Sequence, residues 1–179
     1  MSRLKYDPIE ASRLYWADHG KSTVAGMMVV NSVMRADQIF LNKANSILRP
    51  LHLTYARFSV LGLLHGLGPL LLSTLAAHLW ITKANMTSSI DRLEAAGLCR
   101  RRAHPIDARA TLAEITPKGR EVYARAVEEI AARLFRTVGV TEQESAHLVE
   151  VIAKIRTLAG DVVGVPRQPL PAGEGGDGA

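Results

Sequence analysis

The apolar residues of this chain recur mostly at helical spacing, and short polar or glycine-containing breaks interrupt them. Between residues 23 and 50, methionine and leucine return every seven positions, and a second apolar row runs beside the first. The first row is Met27, Met34, Leu41 and Leu48, and the second is Val29, Val33, Ala36, Phe40 and Ile47. One row suffices to bind a helix to its own core, so two rows predict a helix covered on two sides.

Capping residues divide the remainder of the chain into further helices. The expected starts are Asp7, Ser22 or Thr23, Thr54, Ser73, Thr82, Thr116 and Thr141, and the expected ends lie near residues 18, 49, 66, 79, 97, 138 and 160. The apolar stretch from Phe58 to Ile81 is long enough for a membrane span, but Gly68-Pro69 breaks it into two helices. We therefore expect no membrane segment there.

Two short runs, Leu98–Ala103 and Ala110–Ile115, have the composition of strands, and a polar turn joins them. They follow directly on the helices at 73–79 and 82–97. This order predicts a mainly α protein with a small β-wing, that is, a winged helix-turn-helix. Residues 161–179 are rich in Gly and Pro, and we expect a disordered tail.

Positive charge concentrates in the predicted winged helix-turn-helix. The chain carries a formal charge of +5. Residues 80–120 hold eight Lys and Arg against four acids, so +4 of that charge falls within them. Such a surface attracts the phosphates of nucleic acid. A basic cluster alone would equally fit a solvated charged face.

The helix after Thr82 has one apolar face and one face of short polar residues. A helix in the major groove needs such a face, because its backbone must approach the base edges. The candidate base contacts are Lys83, Asn85, Thr87 and Ser88, and Arg92 is a candidate phosphate contact. An ordinary amphipathic surface helix is the alternative.

The hairpin supplies the other candidate DNA contacts. Arg100, Arg101 and Arg102 alternate across the first strand, so Arg101 is expected on one face and its two neighbours on the other. Arg101 and Arg102 are both candidate contacts. At the hairpin tip, Asp107 could orient Arg109 toward the minor groove. The alternative for that pair is a solvent-exposed ion pair.

Between Leu75 and Gly119 the chain resembles the MarR family of bacterial transcriptional regulators. The resemblance rests on Leu75-Ala76, Met86-Thr87, Ile90 to Glu94, Gly97-Leu98, Asp107-x-Arg109 and Leu112 to Gly119. The order of the helices outside the segment, up to Gly160, also fits.

The resemblance implies a homodimer that presents one winged helix per subunit to a pseudo-palindromic DNA site. Residues 51–116 would be the DNA-binding domain, 23–50 and 117–160 the dimerisation helices, and 1–22 an N-terminal extension. The expected dimer contacts are Met27, Met34, Leu41, Leu148, Ile152 and Ile155. A small aromatic or phenolic effector releasing a repressor is also implied. Tyr15 and Trp16 are the candidate effector contacts, although core or dimer packing is the better explanation of these two residues.

Other functions leave little trace in the sequence. The six histidines form no HExxH or HxxxH pair, and no phosphate loop or nucleophile motif is present, so we expect no enzyme and no cofactor. The only cysteine, Cys99, is expected to pack in the core, and its isolation fits a reducing cytoplasm. Three alternatives remain: a metal-sensing regulator, a DNA binder without sequence preference, and a winged helix that contacts only proteins.

Overall fold

Helices make up most of the chain, as the apolar spacing predicts. A computed structural model describes residues 5–104 and 110–161. The elements are α1 (Pro8–Tyr15), α2 (Lys21–Leu48), α3 (Tyr55–Leu67), β1 (Leu70–Leu71), α4 (Leu72–His78), α5 (Lys83–Ala95), β2 (Cys99–Ala103), β3 (Thr111–Ile115), α6 (Pro117–Arg133) and α7 (Glu142–Leu158). Short 3-10 turns lie at Ala17–His19, Arg49–Leu51 and Phe135–Thr137. The mainly α fold with a small β-wing is confirmed.

Threonine side chains begin four of the helices, as predicted. Thr54, Thr82 and Thr116 each accept a hydrogen bond from a backbone N–H of the first turn of α3, α5 and α6. Thr141 and Glu144 form the reciprocal capping box of α7. Each of these bonds satisfies a backbone donor that the helix itself leaves unpaired, a contribution of about 1 kcal/mol.

Three predicted helix boundaries were wrong, two of them starts and one an end. The α4 helix begins at Leu72 without a side-chain cap, so Ser73 does not cap it. Its start is set instead by β1, which ends at the residue before. The α2 helix already begins at Lys21, ahead of the predicted cap at Ser22 or Thr23. The α6 helix ends at Arg133 rather than Val138, because the chain tightens into a 3-10 turn whose Thr137 hydroxyl donates to the Arg133 carbonyl at 2.9 Å.

The three strands form one antiparallel sheet in the order β1-β3-β2. Cys99 pairs with Ile115 across β2 and β3, and Leu70 pairs with Ala113 across β1 and β3. Gly68, at a φ of 77°, ends α3 and lets the chain turn into β1. The break at Leu67-Gly68-Pro69 is confirmed, and β1 ties the start of α4 to the wing.

A single apolar cluster holds α3 to α6 and the sheet together. Its fully buried side chains include Val60, Leu61, Leu64, Leu75, Met86, Ile90, Leu93, Ala113, Ala126 and Ile130. Each large aliphatic side chain buried in this way contributes about 1.5–3 kcal/mol. The contribution of α5 to this cluster comes from the apolar face that the sequence predicts for the helix after Thr82.

The described residues fall into two compact units, one up to Ser46 and one from Ile47 onward. The first contains α1 and most of α2, and the second contains the winged helix together with α6 and α7. The predicted grouping of 23–50 with 117–160 needs a second subunit and stays a prediction. Across residues 5–104 and 110–161, no helix combines the length and the apolar character that crossing a bilayer requires.

Candidate nucleic-acid interface

The α5 helix divides cleanly into a buried face and an exposed polar face. Met86, Ile90 and Leu93 lie in the core with at most 1% of their surface exposed. Every polar residue that the sequence assigned to DNA on this helix is exposed. These residues are Lys83, Asn85, Thr87, Ser88 and Arg92. The helix is thus fixed by one side and presents short polar side chains and two cations on the other.

The first turn of α5 orients its own side chains. Thr82 accepts a hydrogen bond from the Asn85 N–H at 3.3 Å, and the Thr87 hydroxyl donates to the Lys83 carbonyl at 3.0 Å. That donation commits the Thr87 hydrogen to the helix. Toward a partner outside the helix, the hydroxyl can therefore act only as an acceptor, and the methyl group offers an apolar contact.

The wing is fastened to α5 by Arg101. Its backbone N–H donates to Glu94 Oε1 at 2.9 Å, and its guanidinium contacts Glu94 and, at 2.5 Å, Asp91 Oδ1. Both carboxylates belong to α5, so one β2 side chain joins the two elements. The sequence marks Arg101 as a candidate DNA contact. In the structure two acids of α5 hold its guanidinium, and its contact with DNA stays a prediction.

The neighbouring arginines lie on the opposite face of β2, as the alternation predicts. Arg100 Nε donates to Glu114 Oε2 at 2.7 Å, and Arg102 Nη1 lies 3.4 Å from the same carboxylate. The side chains of Arg100 and Arg102 stay more than half exposed. Glu114 therefore orients two cations on the outer surface of the wing.

The predicted wing-tip pair, Asp107 and Arg109, lies outside the described residues. The two strands pair up to the base of the tip, where Ala103 lies opposite Thr111 and the His104 N–H donates to the Ala110 carbonyl at 3.1 Å. The role of this pair stays a prediction.

The contacts of Arg101 with Asp91 and Glu94, here called the Arg101 clamp, change the pKa of Glu94. The pKa of this carboxyl is lowered, chiefly because it accepts the Arg101 backbone N–H and also because the guanidinium lies against it. A carboxyl with a lowered pKa in the folded state stabilises the protein above its unfolded pKa, about 4.3. That stabilisation is lost as the pH falls through the folded value.

We therefore expect Glu94→Gln to lower the unfolding temperature by about 2 °C at pH 7, a small shift because the carboxylate is partly exposed. The difference from wild type should shrink as the pH falls below about 4.3, the unfolded pKa, and then through the lower folded pKa of Glu94. Thermal unfolding across this pH range measures it, with Glu121→Gln on the exposed side of α6 as the matched control. A deficit that stays equal as the pH falls would mean that the clamp is not ionic.

Cys99 is a packing residue of the wing. Its side chain is 2% exposed, and its thiol lies 3.8 Å from the Ile90 carbonyl. Burial raises the pKa of this thiol to about 11, which disfavours the reactive thiolate. Among the residues that the structure describes, no three His, Cys, Asp or Glu side chains gather closely enough to hold a metal ion.

The candidate effector contacts lie on the N-terminal unit. Tyr15 is 85% exposed, and Trp16 packs on His19 with ring centroids 4.7 Å apart. Three open cavities border α1 and α2, of about 440, 300 and 220 Å³. Their lining residues run from Tyr6 to Ile39 and include neither Tyr15 nor Trp16. The assignment of these two rings to an effector stays a prediction.

The α5 helix has one buried face and one exposed polar face, a short helix precedes it, and a cationic hairpin follows it. This arrangement defines a winged helix-turn-helix of the DNA-binding kind. The MarR family profile matches residues 53–111. The structure of Sco5413, a MarR family transcriptional regulator from Streptomyces coelicolor, is 34% identical, with a TM-score of 0.70 over 77% of this chain and 97% of that one. The chain belongs to the MarR family of transcriptional regulators.

Two further relatives agree with this assignment. The uncharacterized HTH-type transcriptional regulator YkoM of Bacillus subtilis is 33% identical over 98 residues, which are 54% of this chain and 64% of that protein. The chain thus spans just under two thirds of this curated relative. The transcriptional repressor CouR, solved with a 23-mer DNA duplex, is 31% identical, with a TM-score of 0.64 over 69% of this chain and 89% of that one.

Proposed function

We propose that this protein is a sequence-specific DNA-binding repressor that acts as a homodimer and is released by a small effector. The observation that carries the proposal is the exposed polar face of α5, held in place by the buried Met86, Ile90 and Leu93. The chemistry of that face fits the donors and acceptors of the major groove.

Base contacts and phosphate contacts divide along α5. Asn85, Thr87 and Ser88 are short, so they bring the helix backbone close to base edges. Lys83, at the N-terminus of the helix, and Arg92, more than two turns further on, suit the phosphates on either side of the groove. On the wing, Arg102 adds a cation on the face opposite Arg101.

A relative supports DNA as the partner. CouR, named as a transcriptional repressor, was solved on a DNA duplex. We transfer this role to the present chain because the chain has the winged helix-turn-helix described above. Repression, rather than activation, rests on that relative.

The exposed apolar faces of α2 and α7 support a homodimer. Met34, Leu148 and Ile155 are 58%, 53% and 43% exposed in the single chain. Leu41 and Leu158 are also exposed, while Met27 and Ile152 are half-buried. Apolar surface of this extent marks an interface, and a two-fold axis would place two α5 helices on two half-sites.

We assign the small effector to an open polar cavity in the second unit. It measures about 540 Å³ and is lined by Ser73, Thr74, Ala77, His78, Arg156 and Asp161. This volume falls in the range of small-molecule sites. Because α4 precedes the reading helix and α7 is a proposed dimer helix, an occupant here would couple dimer geometry to DNA. It is a better candidate than the exposed pair Tyr15 and Trp16.

The test compares two kinds of variant on one preferred duplex and its single-base changes. Ser88→Ala should lose discrimination at one base position by about 1–3 kcal/mol, because it removes a base contact. Arg92→Ala should weaken binding to all duplexes and reduce the salt slope by about 0.9, because it removes one phosphate contact.

Titrations at several salt concentrations measure both effects. A Ser88→Ala protein that keeps the wild-type preference at every base would remove the reading role from α5. Uniformly weak, preference-free binding by the wild type would favour an architectural DNA binder instead.

A further inference from the structure

Trp80 stands in the turn between α4 and α5 with 69% of its surface exposed. Its φ of 51° places it in the left-handed region. Among the residues described, only His52 is another non-glycine residue with a positive φ. A bulky aromatic residue rarely adopts this conformation.

The hydrogen bonds around Trp80 explain why the chain needs a left-handed residue there. The Trp80 N–H donates to the Ala77 carbonyl at 3.2 Å, and the Ile81 N–H donates to the Ala76 carbonyl at 3.1 Å. This pair of bonds ends α4 in the Schellman manner, in which the left-handed position is usually glycine. The turn therefore favours glycine, but residue 80 is tryptophan, which has the largest side chain of the common amino acids.

The tryptophan ring is not required by the core. The flanking residues, Leu79 and Ile81, are partly buried, whereas the Trp80 side chain points largely to solvent. A strained conformation combined with an exposed apolar ring gives no evident benefit to folding. Such outliers concentrate where a side chain serves binding.

The position of the turn identifies the partner. Trp80 comes three residues before Lys83, where α5 begins. In a helix-turn-helix, the N-terminal end of the second helix enters the major groove while the first helix crosses the backbone. The turn between them therefore reaches the wall of the groove, which consists of deoxyribose and phosphate.

We propose that Trp80 binds the sugar-phosphate wall beside the half-site, an inference that rests on the proposed DNA-binding function. The flat apolar face of the indole covers a deoxyribose ring, and the indole N–H donates to a phosphate oxygen. This contact positions the protein without reading the sequence. It extends the interface from the polar face of α5 to the preceding turn.

The main test replaces Trp80 by glycine, which removes the ring and suits the left-handed backbone. Trp80→Gly should bind the preferred duplex roughly tenfold more weakly, with unchanged base preference and unchanged salt slope, since no charge is lost. Its denaturation midpoint should equal or exceed that of wild type, because glycine relieves the strain. Trp80→Phe keeps the aromatic face but not the N–H donor, so it should bind with an affinity between those of Trp80→Gly and wild type.

A second measurement follows the ring itself. The chain has two tryptophans, so Trp16→Phe leaves Trp80 as the only indole reporter. Addition of the preferred duplex should quench or shift its fluorescence in proportion to the bound fraction. An emission spectrum that stays constant through saturation would overturn the proposal.

The outcomes separate this inference from the function on which it rests. If wild type binds with sequence preference and Trp80→Gly binds equally tightly, only the Trp80 contact is wrong. If wild type shows no preference for any duplex, the proposed function and the Trp80 contact both fail. A Trp80→Gly protein that changes oligomeric state but keeps its DNA affinity would assign the ring to a protein contact and overturn the proposal.

Discussion

Replacing Gly119 by alanine should destabilise the winged helix by about 3 kcal/mol, among the larger effects of a single substitution. A Cβ at this position would lie 2.0 Å from the Leu98 carbonyl oxygen and 2.8 Å from Ile115 Cγ1. That carbonyl accepts the Thr116 N–H at 3.1 Å, which joins the start of the wing to the start of α6. The Leu98 carbonyl belongs to the backbone, so it cannot rotate away from the added methyl group.

The denaturation midpoint measures this effect, and the expected loss corresponds to a fall of roughly 10 °C in unfolding temperature. DNA affinity should fall with it, because the wing and the C-terminal end of α5 meet at Leu98. Gly26→Ala is the matched control: a Cβ there meets no atom within 4 Å, so stability should not decrease. A Gly119→Ala protein as stable as wild type would contradict the packing of α6 on the wing.

Replacing Ile155 by lysine should abolish the proposed dimer. Ile155 lies on the exposed apolar stripe of α7, so a lysine there would place a charge inside the interface. A buried unpaired charge costs several kcal/mol, and two-fold symmetry introduces it twice. Sedimentation should give a monomer, and binding to a two-half-site duplex should fall by orders of magnitude because the second half-site is lost.

Ala153→Lys provides the control on the same helix. Ala153 is exposed and lies nearly opposite Ile155 around α7, so its lysine should remain in solvent and leave the dimer intact. Met34→Lys on α2 should act like Ile155→Lys. An intact Ile155→Lys dimer would place the subunit contact on another surface.

Features that depend on neighbouring residues could be predicted from the sequence. Thr82 and Thr141 cap helices through bonds to residues three positions on, and such local chemistry leaves a readable pattern. The buried face of α5 followed from its spacing alone. The alternation of Arg100, Arg101 and Arg102 also followed, since the period of a strand fixes it.

Features that depend on distant residues could not be predicted. The β1 strand has only two residues, too few to show alternation, and it exists because it pairs with β3 more than 40 residues later. For the same reason, Ser73 was misplaced as a cap. The contacts of Arg101 with Asp91 and Glu94 could not be predicted, because these acids become its neighbours only when β2 folds onto α5.

Trp80 and Gly119 differ in how visible their roles were. Gly119 stood in the segment that resembles the family, but its close approach to the Leu98 carbonyl needed coordinates. Trp80 carried one signal in the sequence, a bulky residue directly after Leu79, the residue that ends α4. Its left-handed backbone and exposure give that signal a physical meaning.

The reading role of α5 can be tested most directly by selecting bound duplexes from a random pool with the wild-type protein at physiological ionic strength. The account predicts enrichment of one sequence with two inverted half-sites whose centres lie about one helical turn apart. A pool that binds without any enrichment would contradict it.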